Sequence, residues 1–303
     1  GKGEGEQRSG PAVDDAFGSL LLEFAGVCTI PGAVDAAVVK ECNAAACELT
    51  DAVRALLQER GVDPDDPAGF QFLGAHQRDP GRLDLRNHAA MDAPPFDHPS
   101  LGEAAAWMPL IRRALGDDSR LVWKGLVVTE PGTRDQAFHP DTPPVPREEW
   151  ERHRETRGEA AEGKPPLPRL PPVGAALPPH SLTVFVPLVG LSRENGPTAF
   201  LPGTHNPLVA ASLRADCADQ AGSGGGGSPA YLDVDVGDAI VFDVRTLHAG
   251  SANRSANRRP LLYLVYGRSW YTEAVHRRLC EEAGLAQPGA RPERLVPLRG
   301  EGG

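Results

Sequence analysis

The sequence predicts a mainly β fold with flanking helices (α+β), its core a sandwich or barrel, on three observations. From about residue 120 the chain becomes a series of short β-branched and apolar runs separated by glycine and proline, the pattern of strands joined by turns. Before that point apolar residues recur at helical spacing instead. At 303 residues, 40% hydrophobic and 24% charged, the chain is also long enough to bury a sizeable core.

Taken in order, residues 1–15 are polar and expected to be disordered. A short strand is expected at 26–30, stopped by Pro31-Gly32. A long helix follows at about 33–60, where Val38, Cys42, Leu49, Val53 and Leu56 share an apolar side. Residues 81–88 alternate like a strand and put Arg82, Asp84 and Arg86 on one face. That face either meets an anionic or polar substrate or is a solvated edge, and both readings stand. Ser100-Leu-Gly-Glu103 has the form of a capping box and predicts a second helix through Trp107 and Ile111 to Gly116. Strands are predicted at 120–129, 181–189, 197–201, 231–236, 239–243 and 261–266, and a last helix near 272–283 is expected on the outside. Trp270-Tyr271 is read as core packing, with a pocket wall as the other possibility. One domain is expected over 16–290, with a C-terminal tail at 291–303.

Two segments interrupt the pattern. Residues 143–180 are rich in proline around a charged run, 147–157, that suits one short helix. This insertion starts two residues after Asp141, so a lid over a site is as good a reading as a surface ornament. Residues 222–228, almost all glycine and serine, read as a flexible linker.

The formal net charge of −10 and the lack of a dense basic stripe argue against nucleic-acid binding. No apolar run reaches the roughly 20 residues of a membrane helix. Residues 1–9 have no hydrophobic signal core and the C-terminus no peroxisomal ending, so a cytoplasmic protein is expected; the chain does not begin with Met, which leaves an upstream segment open. Cys28, Cys42, Cys47, Cys217 and Cys280 are odd in number and scattered, as expected of reduced thiols rather than disulfides or a zinc site.

The chemistry centres on Phe138-His-Pro-Asp141 and a distant His248. Residues i and i+2 of an extended chain face one way, so His139 and Asp141 can reach one ion. Two imidazoles and a carboxylate occupy one face of an octahedral metal and leave positions open, which suits non-haem Fe(II) and O2. Alone, His-x-Asp is weak evidence. His248 adds weight, because it follows the Gly237-Asp238 turn and a buried strand, and Arg258 and Arg259 lie ten and eleven residues beyond it. A guanidinium there can hold a carboxylate in a bidentate pair, while the other arginine ends a loop at the surface. His205 is assigned to a structural turn. His76, His88, His98, His153, His180 and His276 lack ligand spacing and are expected to face solvent or cap turns.

Over roughly residues 15–270 the sequence resembles the phytanoyl-CoA dioxygenase family of Fe(II)/2-oxoglutarate oxygenases. Phe138-His-Pro-Asp141, Glu194-Asn-Gly-Pro-Thr-Ala-Phe-Leu-Pro-Gly-Thr-His205, Gly237-Asp238 and His248-Ala-Gly-Ser-Ala-Asn253 with Arg258-Arg259 carry the resemblance. It implies a double-stranded β-helix (jelly roll, cupin-like), with His139, Asp141 and His248 as iron ligands. Arg259, rather than Arg258, becomes the anchor of 2-oxoglutarate. Pro140, where the family often has glutamine, and the long insertion are departures on the substrate side. Asp141 stands where related halogenases have a small residue, which implies hydroxylation of a small-molecule or lipid-like substrate, with O2 consumed and 2-oxoglutarate converted to succinate and CO2. A non-catalytic jelly-roll binding module and a cupin-like iron enzyme without 2-oxoglutarate are the alternatives. Substrate and oligomeric state are not legible.

Overall fold

Strand alternation decides what each face of this molecule does. The computed structural model describes residues 15–63, 71–72, 75–142, 145–160, 169–172, 176–219 and 228–283. In chain order the elements are α1 (Asp15–Ala25), β1 (Val27–Ile30), α2 (Ala36–Glu59), β2 (Gln71–Phe72), β3 (Ala75–Asp79), β4 (Arg82–Arg86), α3 (Met108–Leu115) and β5 (Arg120–Thr129). There follow α4 (Arg147–Ala160), β6 (Ser181–Pro187), β7 (Thr198–Phe200), α5 (Pro207–Asp219), β8 (Ala230–Tyr231), β9 (Ala239–Asp243), β10 (His248–Gly250), β11 (Arg259–Gly267) and α6 (Glu273–Glu282). Eight strands form an antiparallel sheet in the order β1-β9-β6-β11-β5-β4-β3-β2, and β10-β7-β8 form a second. The two sheets face each other across a cavity and make a cupin-like double-stranded β-helix. No described helix is long and apolar enough to cross a membrane.

One face of the large sheet is the core. Leu262, Leu264 and Tyr266 of β11 and Leu182, Val184 and Val186 of β6 pack against Val39 and Cys42 of α2 and Ile111 and Leu115 of α3. Each such aliphatic side chain contributes about 1.5–3 kcal/mol by leaving water. Asp35 caps α2, accepting from Ala37 N at 2.7 Å. The intervening residues of β11, Arg259, Leu261, Tyr263 and Val265, face the cavity.

Several expectations are corrected. The second helix begins at Met108, not at Ser100: the backbone N–H of Ser100 is taken by the His98 ring at 3.3 Å, and Glu103 pairs with Arg112 at 3.0 Å, so the capping box does not form. The strand expected at 231–236 reduces to Ala230–Tyr231 plus a single bridge from Val234 to Leu191. The helices α1 and α5 arise where no element was expected. The last helix is not merely external, since His276 and Cys280 reach the cavity.

The insertion beside Asp141 is anchored rather than loose at its start. Trp150 of α4 is fully buried, meets Trp270 edge-on at 5.2 Å and lies under the Arg268 guanidinium at 4.9 Å. His153 stacks on Trp270 at 4.5 Å, and Glu149 accepts from Arg278 of α6 at 2.7 Å. Apart from Asp15 and Ser228, the tails expected at 1–15 and 291–303 and the linker at 222–228 fall outside the described residues.

Candidate active site

Backbone pairing brings the distant motif residues together. His139 and His248 exchange both backbone hydrogen bonds at 3.0 Å, and Asp141 N donates to Val244 O at 2.8 Å. The segment 139–141 is thereby laid along the entry to β10. One ligand atom from each of His139, Asp141 and His248 lies within 4.8 Å of the others. The two imidazole centroids are 4.8 Å apart, and His248 Nε2 is 3.5 Å from Asp141 Oδ1.

The tautomers follow from the partners. His139 Nδ1 is 2.9 Å from Ala137 O and His248 Nδ1 is 2.9 Å from Thr246 O. A carbonyl only accepts, so Nδ1 is the donor in each ring and Nε2 is the atom left to face a metal. The hydroxyl of Thr183 donates to Asp141 Oδ2 at 3.4 Å. Phe242 packs against the His248 ring at 4.9 Å and Phe200 at 5.9 Å, fixing its plane. Two imidazoles and a carboxylate gathered on one side form the donor set of a facial metal site.

Next to this cluster the register of β4, β5 and β11 aligns side chains in cross-strand rows. Arg82, Thr129 and Arg259 share the first row; Asp84, Val127 and Leu261 the second; Arg86, Gly125 and Tyr263 the third. The first row is cationic. Arg259 is buried, donates from Nη2 to Thr129 Oγ1 at 2.7 Å, and has no hydrogen-bond partner on Nε. Burial, and secondarily the charge of Arg82, push its guanidinium down to about 9. Arg258 points the other way, pairing with Asp51 at 2.6 Å and Glu130 at 2.9 Å outside the cavity, as strand alternation requires of its neighbour.

The second and third rows hold a polar cluster that sequence reasoning named only in part. Tyr263 donates to Asp84 at 2.8 Å and accepts from Arg86 Nε at 3.3 Å. Gly125 makes room for this: a Cβ there would stand 2.5 Å from the phenol Cζ and oxygen of Tyr263. Asp84 is buried within an interior strand, so the solvated-edge reading of 81–88 fails. Gln136, Tyr263, His276 and Cys280 also line the cavity, of about 410 Å³, and were missed. Inward alternation from Arg259 would have found Tyr263.

The remaining histidines divide. His88 and His98 cap short turns as expected. His180 and His276 do not face solvent: burial pushes them down to about 3 and about 4. His205 Nε2 is 3.0 Å from Glu23 O, a structural contact. Tyr271 is fully buried in the cluster with Trp150 and Leu279, as its core reading required. In the Asn-Gly-Pro turn, Asn195 accepts from Ser192 N at 2.9 Å. Gly196, at φ +82°, passes so close to Ser251 O that a Cβ would lie 2.5 Å away, so the motif has a backbone reason.

Fold and cluster together define a jelly-roll protein with two histidines and a carboxylate gathered at a cavity between its sheets. The chain belongs to the phytanoyl-CoA dioxygenase family, whose model matches residues 22–261. Among solved structures it is similar to AviO1 of Streptomyces viridochromogenes Tue57, at 16% identity, 86% of this chain, 98% of that chain and a TM-score of 0.55. It is also similar to the non-heme alpha ketoglutarate dependent carbocyclase SnoK from nogalamycin biosynthesis, at 21% identity, 94% and 93% coverage and a TM-score of 0.54. A third is the epimerase SnoN in complex with Fe3+, alpha ketoglutarate and nogalamycin RO, at 17% identity, 95% and 96% coverage and a TM-score of 0.50. These likenesses are of fold.

Proposed function

We propose that this chain is an Fe(II)- and 2-oxoglutarate-dependent dioxygenase that hydroxylates a small-molecule or lipid-like substrate. The observation that carries the reading is the pairing of the His139–Asp141–His248 cluster with a buried cation, Arg259, in one cavity.

The residues fit both groups. The cluster offers two Nε2 lone pairs and a carboxylate, a set suited to Fe(II) with positions to spare. Arg259 is a buried cation with an unpartnered Nε, and among the described residues no carboxylate pairs with it. Burying such a charge is costly unless it is matched, and the distal carboxylate of 2-oxoglutarate would match it in a bidentate pair. A binding module without turnover, or an iron enzyme without 2-oxoglutarate, has no need of that anchor.

In this reading the Ala137 and Thr246 carbonyls hold the two imidazoles in the metal-binding tautomer, and Thr183 restrains the rotation of Asp141. Arg259 and Thr129 receive the distal carboxylate, and Val127, Leu261 and Val265 keep the cavity wall dry. When bound, iron and 2-oxoglutarate supply the O2 chemistry: a substrate C–H becomes C–OH as 2-oxoglutarate yields succinate and CO2. Asp141 occupies the position that a halide would need, which favours hydroxylation over halogenation.

The protein, supplied with Fe(II), 2-oxoglutarate and O2, is expected to form succinate, and Asp141→Ala to reduce the rate by about 10²-fold or more through loss of a metal ligand. Oxygen-independent succinate, or a full rate in Asp141→Ala, would overturn the proposal.

A further inference from the structure

The segment that carries His139 has no apolar anchor of its own. Residues 134–140 form no strand beyond the single bridge at His139, all of them are at least partly exposed, and Phe138 keeps 41% of its surface in water. Burial therefore does not fix where this segment lies, whereas a metal site needs its donors held within about 0.5 Å of the productive geometry.

The ties that do fix it are polar and come from other parts of the fold. Gln136 makes two hydrogen bonds of opposite sense. Its Oε1 accepts from Gly250 N of β10 at 3.0 Å, and its Nε2 donates to Asp79 at 2.6 Å. A backbone N–H only donates and a carboxylate only accepts, so these partners set which way round the amide sits. Asp79 also meets Arg82 Nη1 at 3.1 Å, and Arg82 Nη2 is shared among the carbonyls of Arg134, Gly250 and Ser251 at 3.1–3.2 Å. Asp135 adds a further tie, accepting from Ala252 N at 2.8 Å. From either side of the β3–β4 turn, Asp79 and Arg82 thus join the approach to His139 to the strand that begins at His248. Gly250 leaves room for the junction: a Cβ there would stand 2.8 Å from Gln136 Oε1 and 3.1 Å from Arg82 Nη2.

We propose that Gln136, held between Asp79 and Gly250 and backed by Arg82, is a positioning residue for the metal centre. It sets the separation of His139 from His248 without touching the ion. This deepens the oxygenase reading and rests on its metal site alone, not on 2-oxoglutarate or a substrate. Without the tie, the exposed segment loses its fixed distance from β10, and the donor set has to be reassembled as the ion binds.

The test is titration of the metal-free protein with Co(II), a divalent stand-in for Fe(II), without 2-oxoglutarate, followed by its visible d–d absorption. Gln136→Ala is expected to weaken Co(II) binding by about ten- to a hundredfold, the usual cost of losing a group that orients a ligand, and to change the shape of the bands. Gln136→Glu sets a second carboxylate against Asp79 and should also weaken binding. Adding Asp79→Asn to Gln136→Glu restores a donor–acceptor pair of reversed polarity at the same net charge, and should recover most of the lost affinity. A merely structural role would give no such recovery. Unchanged Co(II) affinity and bands in Gln136→Ala, or a double variant no better than Gln136→Glu alone, would overturn the proposal. If the wild type binds Co(II) but no 2-oxoglutarate, the oxygenase reading falls and the positioning role stands; if it binds no Co(II), both fall.

Discussion

At the scale of single residues, Arg258 and Arg259 show how adjacent, chemically identical side chains acquire opposite duties. Strand alternation sends Arg258 to Asp51 and Glu130 at the surface and Arg259 into the cavity. Arg259→Ala should therefore weaken 2-oxoglutarate binding by about ten- to a hundredfold, the loss of a charge-assisted pair, whereas Arg258→Ala should leave it nearly unchanged; a titration of each variant checks this. The same arginine sets a pH dependence. Its folded-state value is lowered from 12.5 to about 9, and a carboxylate pairs only with the protonated form. Affinity for 2-oxoglutarate should be flat below pH 9 and fall above it, and a profile that rises there would contradict the assignment. Sequence spacing brought both arginines to notice; inward and outward could be assigned only once the register of β11 was known.

Among the elements, legibility followed periodicity. The strands β5, β9 and β11 and the long helix α2 are marked by alternating or helical apolar positions, and the structure has them close to where they were expected. The helix α4 was expected at 147–157 and is present, but its packing is hard to read because Trp150 sits in a run of arginines and glutamates, and only the tertiary partners Trp270 and Arg268 make that tryptophan a core residue. The Asp84–Tyr263 contact was illegible for a related reason: it crosses three strands and depends on the absence of a side chain at Gly125. The element-scale prediction concerns docking of the insertion. Trp150→Ala should cost about 3–5 kcal/mol and expose α4 to protease, measured by denaturant unfolding and limited proteolysis. A loss below about 1 kcal/mol would mean that α4 is not held as described.

The whole molecule should be acid-sensitive. His180 and His276 are kept neutral by burial, with values lowered from 6.5 to about 3 and about 4. Below pH 6.5 the unfolded chain takes up protons that the folded chain refuses. Stability is then complete above about pH 6.5 and declines as pH falls toward 4, by roughly 6 kcal/mol from these two groups together. Melting temperature against pH should show that fall, and His276→Gln, which retains a partner for Tyr271, should make it shallower. A wild-type melting temperature constant from pH 7 to 4.5 would contradict it.

The central claim is that iron and 2-oxoglutarate bind together, through His139, Asp141, His248 and Arg259. It is tested most directly by anaerobic titration of the protein with Fe(II) and 2-oxoglutarate, followed by visible absorption. The account predicts a weak charge-transfer band that needs both components, saturates at one of each per chain, and disappears in His139→Ala. No band in the wild-type protein, or a band that persists in His139→Ala, would contradict it.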